Sequence, residues 1–139
     1  MELKQAKELL LGSGFTCVFK KGDDVITATK RGVAPLLEIL EARGSTEGYV
    51  AADRVVGKAA AMIYVLLGVR EVFALIMSES ARCVFEMYGI PVSYGELVPM
   101  IKNRSGDGFC PMEQATRDAK SPEEALALIK AKLSELNGK

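Results

Sequence analysis

The sequence predicts an α/β fold of three layers, α/β/α, built on a mixed sheet. Three observations predict it. A hairpin signal lies near the start, strand-like and helix-like apolar spacings alternate after it, and the longest apolar stretch, Ala59 to Val69, is bounded by Lys58 and Arg70 at a length that suits a buried helix and is too short for a membrane span. With 139 residues, 49% of them hydrophobic, the chain is long enough for one core and short for two, so residues 1–139 are expected to form a single domain.

Leu3, Ala6, Leu9 and Leu10 recur at helical spacing over residues 2–11, and Gly12 and Gly14 then stop that helix. The segments 16–20 (TCVFK) and 25–30 (VITATK) are rich in β-branched and aromatic residues and flank Lys21-Gly22-Asp23-Asp24, a turn-forming set, which predicts a hairpin. Residues 32–43 carry Pro35 near their start and apolar Leu36, Leu37, Ile39 and Leu40, a second helix closed by Gly44. From Asp53 to Val69 the chain is apolar almost all round, which predicts one buried central helix with Asp53 as its N-cap. VFALIMS (72–78) reads as a strand covered on both faces, 80–89 returns to helical spacing and ends at Gly89, and PVSYGELV (91–98) forms another short strand. A glycine-rich polar loop follows, a helix begins at Cys110-Pro111, and Ser121-Pro122-Glu123-Glu124 is a capping box opening the last helix, which Gly138 ends.

Composition narrows the function. Lys and Arg number 18 against 18 Asp and Glu, so no net field steers the protein to nucleic acid or to an anionic membrane surface. The start Met-Glu-Leu-Lys lacks the basic and apolar regions of a secretory signal, and a cytoplasmic location is expected. Three cysteines, at 17, 83 and 110, make no CxxC pair and are expected to be reduced thiols. Histidine is absent, which removes the imidazole base of serine and cysteine hydrolases and the commonest metal ligand. Neither a metal nor a cofactor is expected.

Residues 49–62 (YVAADRVVGKAAAM), together with 106–115 (GDGFCPMEQA), resemble a domain-of-unknown-function family that has a cytidine deaminase-like fold. The resemblance implies that fold and no reaction. Zinc deaminases carry His/Cys-x-Glu at one helix start and Pro-Cys-x-x-Cys at the next. By the resemblance, this chain has Ala51-Ala52-Asp53 at the first position and Glu79-Ser80-Ala81-Arg82-Cys83 at the second. At most one of three zinc ligands survives, which argues against a zinc-activated water, and Asp53 would stand where the proton-shuttling glutamate does.

The candidate site residues each have a structural role beside a functional one. Asp53 either caps backbone N–H groups or lines a ligand pocket. Lys58, on an otherwise apolar helix, either extends its stem to water or binds an anion or carboxylate. Gly57 costs about 1 kcal/mol of helix propensity relative to alanine, so a close approach by packing or by ligand is its expected reason. Cys110 at a helix start would be a nucleophile or redox thiol if the helix lowers its pKa, and otherwise a cap on a turn. Glu113 either satisfies a backbone donor or serves as a base. The loop 103–108 could cradle an anionic group with its backbone N–H groups and Arg104, and Asp107 of the same loop is a further ligand-binding candidate. The reading is a protein without a zinc site that binds a small nucleotide-like or anionic ligand through Asp53, Lys58, Arg104 and Asp107. The alternatives are a metal-independent enzyme using Cys110 and Glu113, or a homo-oligomeric assembly or regulatory subunit.

Overall fold

The computed structural model describes residues 2–30, 33–101 and 111–137. Helix α1 (Glu2–Leu11) buries Ala6 and Leu10 completely. Strands β1 (Cys17–Lys21) and β2 (Asp24–Ala28) pair antiparallel through a two-residue connection whose first residue, Gly22, lies at φ 60°, the left-handed geometry that matches strand twist. Helix α2 (Ala34–Arg43) starts with Pro35 in its first turn and ends at Gly44 (φ 76°), whose N–H donates to the Leu40 carbonyl at 2.8 Å.

The largest departure from expectation follows. Residues 53–69 are not one helix: Val50–Val56 is strand β3, and helix α3 (Lys58–Leu67) begins after Gly57. The sheet explains why. Its order is β2-β1-β3-β4-β5, with β4 spanning Glu71–Ser78 and β5 spanning Val92–Val98, so β3 is the middle strand. It runs antiparallel to β1 and parallel to β4, and β4 is parallel to β5. A middle strand is covered on both faces and shows no polar–apolar alternation, and Ala51 and Ala52, good helix formers in isolation, supply the small side chains that fit there. Tertiary pairing overrides local propensity. Asp53 is therefore not an N-cap but lies within a strand.

Helix α3 carries the chain from β3 to β4, and α4 (Glu79–Met87) carries it from β4 to β5, the crossovers that parallel strands require. Ser78 caps α4, its hydroxyl accepting from the Ala81 N–H at 3.1 Å. Two helices close the described chain, the short α5 (Pro111–Ala115) and the longer α6 (Pro122–Asn137). Ser121 caps α6 through the Glu124 N–H, and the Glu124 carboxylate accepts in turn from the Lys120 N–H.

Helices lie on both faces of the sheet. Val18, Val50, Ala52 and Phe73 pack with Ala6 and Leu10 of α1 on one face. Their strand neighbours Cys17, Phe19, Ala51, Val72 and Ala74 join the larger core on the other, with residues of α2, α3, α4 and α6. Tyr64 of α3 is fully buried at its centre, its ring 5.7 Å from that of Phe19 and 6.4 Å from that of Phe85. No described helix is long and apolar enough to cross a membrane.

The junction of strand β3 and helix α3 as a candidate site

The chain leaves β3 at Val56, passes through Gly57 in extended conformation and enters α3 at Lys58. The first N–H groups of a helix have no partner within it and carry the positive end of its dipole. Here they find one 54 and 55 residues away. The Glu113 carboxylate of α5 accepts from the Lys58 N–H at 3.1 Å through Oε1 and from the Ala59 N–H at 3.2 Å through Oε2. Gly57 makes room for it. A Cβ at that position would stand 2.5 Å from Glu113 Cδ and 2.5 Å from Oε2, inside any real contact distance. The close approach expected at Gly57 thus has a named visitor, and Glu113 has the donor-satisfying role.

Lys58 is held through both its side chain and its backbone. Its side chain is half-buried and its Nζ donates to the Arg117 carbonyl at 2.9 Å, while the carboxylate at its own position is held by its backbone N–H. Helix α5 and the turn after it are thereby tied twice to the start of α3.

Asp53 occupies a second cluster. Its Oδ2 accepts from the Tyr64 hydroxyl at 2.6 Å and its Oδ1 from the Val55 N–H at 3.3 Å. Burial pushes its carboxyl up to about 6, against the opposing effect of the hydrogen bond from Tyr64 and of the backbone N–H groups of Val55 and Arg54. Burial, then the Asp53 charge, holds the Tyr64 hydroxyl well above its usual range. Cys17, the Cα partner of Asp53 across the β1–β3 ladder, is likewise pushed up, by burial first and by Asp53 second. It is a core thiol and a poor nucleophile. Cys83 lies exposed on α4.

Arg54, which sequence reasoning passed over, points to the other face of β3. Its guanidinium donates to the carbonyls of Phe15 (2.8 Å), Leu10 (2.7 Å) and Ser13 (2.8 Å) and so closes the C-terminal end of α1. A charged residue between Asp53 and Val55 in an apolar run was the available signal.

The start of α3 is Gly57-Lys58-Ala59 and that of α4 is Ser78-Glu79-Ser80, so neither helix start offers a histidine or cysteine, and Asp53 precedes the first by four residues or more. Among the described residues no three of His, Cys, Asp and Glu converge as a metal site. The structure brings Lys58 and Glu113 together and places Asp53 in the separate cluster with Tyr64. Arg104, Asp107 and Cys110 lie outside the described residues.

The fold is similar to that in a crystal structure of a DUF1893 family protein (TM1506) from Thermotoga maritima, with a TM-score of 0.89 and 24% sequence identity, over 94% of this chain and 89% of that one. No curated protein matches the chain. Residues 5–133 match the family model described as TM1506, domain of unknown function (DUF1893), and the chain belongs to that family.

Proposed function

We propose that this protein, built on a cytidine deaminase-like fold without that fold's zinc ligands, binds a small nucleotide-like or anionic ligand at the junction of β3 and α3. The observation that carries the reading is the Glu113 carboxylate, an anion already seated on the Lys58 and Ala59 N–H groups beside a glycine that leaves it space. Backbone donors at a helix start, following a parallel strand, are the setting in which α/β proteins hold anionic groups. The succession of a hairpin and two β-α-β steps supports the deaminase-like assignment. In this reading Glu113 is an internal competitor: a ligand's anionic group takes the two N–H groups as the carboxylate swings away. Arg104 and Asp107, which precede α5 in the sequence, are the further contacts this reading assigns.

Titration calorimetry with inorganic phosphate and with a nucleoside monophosphate tests the reading on the wild-type protein and on Glu113→Ala. Removing the competitor is expected to tighten binding by about tenfold or more, the equivalent of one displaced hydrogen-bonding group. The absence of binding to either protein by both probes refutes it.

A further inference from the structure

The two edges of the sheet are built differently. The β2 edge is five residues long and set among charges: Lys20, Lys21, Asp23 and Asp24 at the hairpin and Lys30 at its other end. Lys30 and Asp24 form exposed ion pairs with Glu38 and Arg43. Charged side chains on and around an edge are the usual protection against pairing with another chain. The β5 edge, seven residues long, carries one charge, Glu96, and its described flanks 87–91 and 99–101 add none.

From Met87 to Ile101 the sequence reads MYGIPVSYGELVPMI, fifteen residues with the single charge of Glu96, in a chain that is 26% charged. Not one of the fifteen is buried. Met87 is 73% exposed, Met100 42%, and Tyr88 and Tyr94 39% each. Depletion of charge with enrichment in Tyr and Met on an exposed surface is the composition of an interface centre. The apolar ground continues past the end of the strand, where Val55, Ile76, Val98, Pro99, Met100 and Ile101 line an open hollow of about 520 Å³.

The backbone is also available. The Val72 N–H donates to the Pro91 carbonyl and Val72 is the Cα partner of Val92, so in this parallel ladder Val92 and Tyr94 turn their own N–H and C=O groups away from β4. No described strand pairs with them. We propose that the β5 edge, with Met87, Tyr88 and Tyr94, is the interface through which two copies of this chain pair antiparallel into a continuous ten-stranded sheet. A second copy fits by charge. A two-fold axis through Tyr94 or Gly95 sets Glu96 against Val92 or Tyr94 of the other copy and never against its own mate, and the neutral chain as a whole, 18 positive and 18 negative, adds no net repulsion.

Sedimentation velocity across the micromolar range tests this on the full chain. The wild type is expected to dimerise with rising concentration. Tyr94→Lys and Met87→Glu should each weaken the dimer by about tenfold or more, while Thr27→Lys on the β2 edge leaves it unchanged. A wild type that stays monomeric overturns the proposal, as does a dimer indifferent to the β5 variants. Should those variants not fold, amide hydrogen exchange of the wild type decides: protection of Val92 and Tyr94 lost on dilution supports the interface, and protection independent of concentration overturns it.

Discussion

Replacing Gly57 by alanine introduces one methyl group at the point where the Glu113 carboxylate rests. The new Cβ would meet Cδ and Oε2 at 2.5 Å and Oε1 at 2.8 Å. Gly57 has φ −102° and ψ −173°, extended backbone open to any residue, so the cost is not conformational. What yields is the end of a flexible side chain. The carboxylate leaves, and the Lys58 and Ala59 N–H groups lose their acceptor. Loss of a capping side chain costs about 1 kcal/mol and hydrogen bonds to a charged group about 1.5–3 kcal/mol each, offset here by water reaching a half-buried site, so about 2 kcal/mol is expected for Gly57→Ala. Glu113→Ala removes the same two bonds and should cost about as much. The double variant has nothing further to lose there and should be about as destabilised as either single one, a coupling of about 2 kcal/mol in urea unfolding. Additive losses, or a Gly57→Ala protein as stable as the wild type, would refute this account of the junction.

Two further outcomes follow from the polar residues of β3. Arg54→Met removes the donor to three carbonyls and should cost about 2–3 kcal/mol, with α1 amides exchanging faster than those of α3; uniform protection across both helices would count against the role assigned to Arg54. Asp53 has a folded-state pKa of about 6, above the unfolded value of about 4, so the folded state holds its proton more tightly and this group lowers stability as pH rises between those values. From pH ~4 to pH ~7 the wild type should lose up to about 3 kcal/mol relative to Asp53→Asn, and a difference between the two that does not change with pH would contradict a carboxyl whose burial outweighs the hydrogen bonds it accepts.

What the sequence disclosed was whatever is settled locally. The hairpin turns on Gly22, α2 begins at Pro35 and stops at Gly44, and Ser121 opens α6, each signal within a few residues of the boundary it sets. Strand β3 was hidden because its identity depends on neighbours distant in sequence: β1 on one side and β4 on the other allow Ala51 and Ala52 to be strand residues. Of the site, Gly57 was legible as a place of close approach. Its occupant was not, since Glu113 arrives on a five-residue helix whose position no periodicity encodes. Lys58 was legible as unusual, but whether its ammonium or its N–H meets the carboxylate is a matter of where the helix begins, and the pairing of β3 with β1 and β4 sets that boundary.

The shift of that boundary also changes what Asp53 can do. At a helix start its charge would have been met by free N–H groups. Within β3, the adjacent cation, Arg54, necessarily projects to the opposite face, because successive strand residues alternate, and it is committed there to α1. Asp53 is left with a hydroxyl and backbone N–H groups for its charge, and the hydroxyl belongs to Tyr64, on the same helix whose first N–H groups hold Glu113. Helix α3 therefore donates to both carboxylates, to Glu113 from its first N–H groups and to Asp53 from Tyr64 on its buried side. A ligand that displaces Glu113 acts on the element that positions Asp53, so the pH dependence set by Asp53 should differ between wild type and Glu113→Ala if α3 shifts when its cap is lost. An unchanged difference would mean that the two sites are independent.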